Sequence, residues 1–175
     1  MEAGPVPHNS ALGVPSELMP KSIQFRDLGT VVDEIHGLFE EWEHSEASLL
    51  PIDEFSLQVM KLAVHEWVAN LVQHADFGDR APLIQVGIQP GEERVHCMIE
   101  DNSQGFDFDL QLVEQRESME TAVPPDRGRG LLMMIACTEN LRYHQPSVDA
   151  QTGRPRHRLE FSISAFRKPW LDIPF

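Results

Sequence analysis

His65-Glu66-Trp67-Val68-Ala69-Asn70-Leu71-Val72-Gln73-His74-Ala75 is the stretch around which this chain organises itself. At about 100° per residue, Val64, Val68, Leu71, Val72 and Ala75 fall on one face of a helix, and Glu66, Asn70, Gln73 and His74 fall on the opposite one. Glu66 and Asn70 are four positions apart and therefore stack as neighbours. Taken alone, such a polar stripe is more often a solvated helix face than a site. A zinc reading fails on one residue. His65-Glu66 opens like His-Glu-x-x-His, but position 69 is alanine, and His65 and His74 point away from each other.

Working outward, Pro51 and Asp53 mark the start of this helix, which is expected to run to about Ala75. An earlier helix is expected from about Asp27 to His44, because Leu28, Val31, Val32, Ile35, Leu38, Phe39 and Trp42 recur at helical spacing. A first strand precedes it at Ser22 to Arg26. Downstream, Leu83 to Gln89 and Arg94 to Asp101 alternate as two strands joined at Pro90-Gly91. A polar stretch from Ser103 to about Arg127 contains a short helix near Asp109 to Gln115. A glycine-flanked apolar run, Gly128 to Thr138, forms the last helix. Two strands follow at Asn140 to His144 and His157 to Ser164, with Pro146 to Pro155 as an exposed loop between them. This order predicts an α/β (α+β) two-layer sandwich, with a largely antiparallel mixed sheet and the helices on one face.

Two further segments bear on the polar stripe. Glu100-Asp101-Asn102-Ser103-Gln104-Gly105-Phe106 ends a strand in a polar turn; Asp101 there can accept a hydrogen bond from a ligand amino group, and Gly105 permits close backbone approach. Asp126-Arg127-Gly128-Arg129-Gly130-Leu131 leads into a helix, where free backbone N–H groups and the helix dipole favour phosphate. Arg127 and Arg129 add positive charge beside them. Each segment alone is a weak signal.

The chain has 175 residues, 41% of them hydrophobic and 24% charged, enough for one domain with a real core. Residues 1–20, rich in proline and glycine, read as a disordered tail, residues 21–166 as the domain, and 167–175 as a second, apolar tail. No apolar run is long enough to span a bilayer and no secretory signal is evident. The two cysteines, Cys97 and Cys137, lie in apolar segments and read as small core residues of a reducing compartment. A net charge of −14 argues against nucleic acid or an anionic membrane as partner.

Together, and in this order, the three segments resemble the GHKL (histidine kinase-like) ATPase superfamily with its Bergerat ATP-binding fold. Glu66-x-x-x-Asn70 with His74-Ala75 looks like the N box, Asp101-x-x-x-Gly105-Phe106 like the first glycine box, and Gly128-Arg129-Gly130-Leu131 like the second. Within the superfamily the chain looks most like the bacterial anti-sigma factor/serine-protein kinases, on its short length and on Cys137-Thr138-Glu139-Asn140-Leu141-Arg142-Tyr143. The resemblance covers about residues 22 to 166. It departs at Ser103, where the first glycine box usually has glycine, so the turn there is expected to differ or to be strained.

The resemblance implies ATP and Mg²⁺ as cofactors, with Asn70 as the Mg²⁺ ligand and Glu66 as general base. Asp101 would bind the adenine amino group, Gly105 would let the base pack, and Gly128, Gly130 and Leu131 would surround the phosphates. His74 completes the N box, and Arg127 or Arg129 would offset charge on the transferred group. It further implies a bacterial cytoplasmic protein whose substrate is an anti-sigma-factor antagonist (STAS-type) and whose second partner is an alternative sigma factor; a homodimer through the first strand and helix fits the family. Two other readings stand beside it. One is a non-catalytic regulator-binding module with a structural or vestigial nucleotide site; the other is a detached histidine-kinase catalytic domain.

Overall fold

The computed structural model describes residues 21–45, 52–91, 93–105, 108, 129–148 and 155–165. The two tails, the helix expected near Asp109 to Gln115, and Arg127 and Gly128 lie outside these residues. Five strands are described: β1 (Lys21–Phe25), β2 (Ile84–Pro90), β3 (Arg94–Asp101), β4 (Glu139–Val148) and β5 (Pro155–Ser164). They form one sheet in the order β1-β2-β3-β5-β4, and every pairing among them is antiparallel. Among the described residues the helices α1 (Val31–Ser45), α2 (Glu54–His74) and α3 (Arg129–Cys137) form the second layer. The architecture is the expected α/β sandwich, a fold consistent with a GHKL ATPase domain.

Side-chain parity explains the layering. In β3, Val95, Cys97, Ile99 and Asp101 are buried, while Arg94 and His96 are exposed. The register carries this parity across the sheet. Ile84 faces Asp101, Val86 faces Ile99, Ile88 faces Cys97, and on the other side Leu159, Phe161 and Ile163 face Ile99, Cys97 and Val95. These residues meet Ile35, Leu38 and Trp42 of α1 and Met60, Val64, Trp67 and Val68 of α2 in a single core. The opposite face of the sheet is polar. There Glu100 is buried beneath Arg156 and Arg158, whose nitrogens approach its two carboxylate oxygens at 2.9 and 2.7 Å. A buried carboxylate needs such partners.

Two element boundaries and the burial of one helix face differ from expectation. Helix α1 starts at Val31 rather than Asp27, because the Asp27 Oδ1 accepts the Gly29 N–H at 2.8 Å and folds Leu28–Thr30 into a turn. Strand β4 extends to Val148, so Pro146 to Val148 is paired strand and not loop. Two register shifts, between Glu139 and Arg142 and between His144 and Ser147, allow that extension. In α2, Trp67 is fully buried, and Glu66 and Asn70 are half-buried instead of solvated.

Helix α2 is positioned at its N-terminus by Asp53. Its side chain accepts the Ser56 N–H at 2.7 Å as N-cap, and its own N–H donates to the Ala165 carbonyl at 2.9 Å. The Ala165 N–H in turn donates to the Glu93 carbonyl at 2.8 Å, which ties α2 to the β3 and β5 ends. Ile99 lies at the centre of the sheet with no exposure. Ile99→Ala is expected to lower stability by about 2–5 kcal/mol, read as a shift in the urea midpoint.

Candidate functional site

Because Asp101 shares the parity of Ile99, its carboxylate enters the layer between sheet and helices and is only 3% exposed. Its Oδ1 accepts the Ser103 N–H at 2.9 Å and, in a very short bond, the Ser103 hydroxyl. The Gly105 N–H then donates to Ser103 Oγ at 3.0 Å. Ser103 therefore builds the turn with its side chain. Its φ is not positive, so the strain expected at this position is absent; the left-handed residue is Gly105, at φ 78°. Both Ser103 bonds fall on Oδ1, and among the described residues no hydrogen bond reaches Oδ2. Burial raises the Asp101 pKa above the usual carboxylate range, against smaller opposing pulls from Ser103, His157 and Arg80.

The turn is laced to the loop that leaves α2. Asn102, 2% exposed, receives the Leu83 N–H on its Oδ1 at 2.8 Å, donates from Nδ2 to the Ala81 carbonyl at 3.0 Å, and donates its N–H to the Leu83 carbonyl. The Gln104 N–H donates to the Asp76 carbonyl at 2.8 Å. The turn after β3 and the loop that follows α2 are thus held together by four hydrogen bonds.

The second half of the site lies where α3 meets α2. Gly130, in the first turn of α3, sits so close to Glu66 that a Cβ there would overlap Oε2 and stand 3.3 Å from Cδ. A side chain at 130 would push the Glu66 carboxylate aside, and as the two stand the carboxylate faces a helix N-terminus, where negative charge is favoured. Asn70 lies one turn further along α2, half-buried, and His74 is exposed in the last turn. Leu131 is buried against the core. Arg127 and Gly128 lie outside the described residues, as does the side chain of Arg129. Between the two halves runs an aromatic row. Trp67 meets Tyr143 at 5.9 Å between centroids, and Tyr143 stacks on His157 at 6.1 Å and on Phe108 at 5.4 Å.

Residues 30–153, well over half of the chain, match the family described as the histidine kinase-like ATPase domain. The chain belongs to that family. No curated protein matches it. Histidine kinase-like ATPase domains bind ATP, typically with Mg²⁺, and this family supports ATP-dependent phosphotransfer or hydrolysis in general. No described helix is long and apolar enough to cross a membrane. Among the described residues no group of three His, Cys, Asp or Glu side chains is placed to hold a metal ion.

His157 and Tyr143 are the site residues that sequence reading passed over. His157 was legible in part, since it has the parity of Leu159, Phe161 and Ile163; its position opposite Asp101 follows only from the strand register. Asn102→Ala is expected to lower stability by about 1–3 kcal/mol in urea unfolding, because the part-buried Leu83 N–H and the Ala81 carbonyl lose the amide that bridges them. The raised Asp101 pKa means the folded state holds that proton more tightly than the unfolded chain, so Asp101 contributes stability at low pH that is lost as pH rises through its folded value. Asp101→Asn, which keeps an acceptor for Ser103, is expected to raise the thermal midpoint at neutral pH and to flatten that dependence.

Proposed function

We propose that this chain is an ATP-dependent serine-protein kinase and anti-sigma factor, a member of the anti-sigma factor/serine-protein kinase branch of its family. The observation that carries the reading is the approach of the Glu66 carboxylate to Gly130, which unites a general base with the phosphate-binding end of α3. Asp101, with Oδ2 left over by Ser103, suits an adenine amino group at the far end. Asn70 would hold Mg²⁺ through its amide oxygen. One hard neutral ligand fits an ion that keeps several waters and takes phosphate oxygens, and the bound ion supplies charge neutralisation at the phosphates.

Glu66 accepts the proton of a serine hydroxyl on the partner while that oxygen bonds to the γ-phosphorus; the bond from phosphorus to the β-bridging oxygen breaks and ADP leaves. The backbone at Gly128, Gly130 and Leu131 would cradle the phosphates, with Arg127 or Arg129 offsetting charge. The substrate in this reading is a STAS-type antagonist, and the sequestered partner is an alternative sigma factor. The β1 strand forms one edge of the described sheet, which suits a homodimer through that strand and α1.

A second reading, a regulator-binding module with a structural or vestigial nucleotide site, is favoured by one observation: the His157 ring already lies against Gly105, where the base would pack. Calorimetry with MgATP separates the two, since absence of binding at millimolar nucleotide supports the module. In the kinase reading, Glu66→Ala lowers transfer of label from γ-labelled ATP to the antagonist by about 10²- to 10⁴-fold with MgATP affinity retained. Transfer equal to wild type overturns it. Asp101→Asn weakens MgATP binding by about 10- to 100-fold, because its amide N–H faces the amino group of the base. Wild-type affinity falls as pH drops, beginning above the pH at which an ordinary aspartate titrates.

A further inference from the structure

His157 sits in β5 directly opposite Asp101 in β3, on the helix-facing side of the sheet. It is only 5% exposed, and its Nδ1 is a buried atom without a hydrogen-bond partner among the described residues. Buried polar atoms in native proteins are paired almost without exception, so an unpaired one beside a ligand site is a place for a ligand atom or a bound water. The ring is not free to turn away. It lies nearly parallel to Tyr143, at 11°, and Tyr143 lies nearly parallel to Phe108, at 12°. From the other side the Gly105 backbone closes on it, and a Cβ on Gly105 would stand 2.6 Å from Nδ1 and 2.7 Å from Nε2.

The chemistry of the base completes the picture. Asp101 Oδ1 is occupied by Ser103, so Oδ2 is the acceptor available for an exocyclic amino group. In adenine that amino group is flanked by two ring nitrogens, N1 and N7, and both are acceptors. A donor set beside a carboxylate matches that edge. Guanine presents a carbonyl oxygen in place of the amino group, which sets acceptor against acceptor at Asp101; its N1 carries a hydrogen, which sets donor against donor on that side, while its N7 stays an acceptor.

We infer that His157 is a specificity-determining residue for the base, its Nδ1–H donating to the adenine ring nitrogen next to the amino group that Asp101 binds. This rests on the nucleotide-binding reading above. The experiment is calorimetric titration of the full chain with MgATP and with the magnesium complexes of 1-deaza-ATP, 7-deaza-ATP and GTP. Wild type and His157→Phe are compared; phenylalanine keeps the stacking and removes both nitrogens. Wild type is expected to bind one of the two deaza nucleotides about tenfold more weakly than ATP, and GTP more weakly still. His157→Phe is expected to bind ATP about tenfold more weakly than wild type and to bind ATP and both deaza nucleotides alike. His157→Gln, which restores an N–H donor, recovers part of the loss.

If wild type binds ATP and both deaza nucleotides equally, or if His157→Phe binds ATP as tightly as wild type or more tightly, this inference falls while the nucleotide site stands. If wild type binds no ATP, both fall. The deaza comparison on wild type needs no variant and can overturn the inference even where a substitution at 157 fails to fold.

Discussion

The structure depends on taking one carboxylate out of water at the end of an otherwise apolar row. Asp101 follows Val95, Cys97 and Ile99 on the inner face of the central strand, and nothing in β-sheet geometry lets it turn outward without moving the other three. Its charge is therefore buried, which is unfavourable, and the surroundings are arranged to tolerate it. Ser103 supplies two hydrogen bonds to one oxygen. Asn102 and Gln104 then tether the turn to the loop after α2. A buried acceptor with one oxygen unclaimed is a poor choice for stability and a good one for recognising an amino group.

The second constraint is the glycine at position 130. Helix α3 packs on α2 so closely that Glu66 occupies the space a side chain would need. This gives the glycine of the second glycine segment a role beyond backbone N–H supply. It lets the carboxylate lie against the helix N-terminus, which in the proposed kinase brings the base to the phosphates. Ser103 and Gly130 thus work in opposite ways. At 103 a side chain replaces the backbone freedom of glycine, and at 130 the lack of a side chain leaves the Glu66 carboxylate its present place.

The aromatic row joins the two ends. Trp67 follows Glu66 on α2 and projects into the core, so the residue that carries the polar function and the residue that anchors the helix are adjacent in sequence. Tyr143 and His157 extend the row to Asp101. Displacement of α2 would be felt at Asp101 through packing, and also through the Asp76–Gln104 backbone bond.

Much of this was written in the sequence. Period-two alternation in β2 and β3, the helical stripe of α1, and the order of the three polar segments were all legible, because each depends on residues near one another in the chain. The start of α1 and the length of β4 were misread, since an Asx turn and two register shifts override local pattern. The polar stripe of α2 was read as a face and its residues as site members. Its half-buried state, the contact of Glu66 with Gly130 and the pairing of His157 with Asp101 came only from the tertiary structure. Those contacts join residues 56 to 64 positions apart, and the registers that align them are set by packing across the sheet and between helices, which no local pattern of side chains encodes.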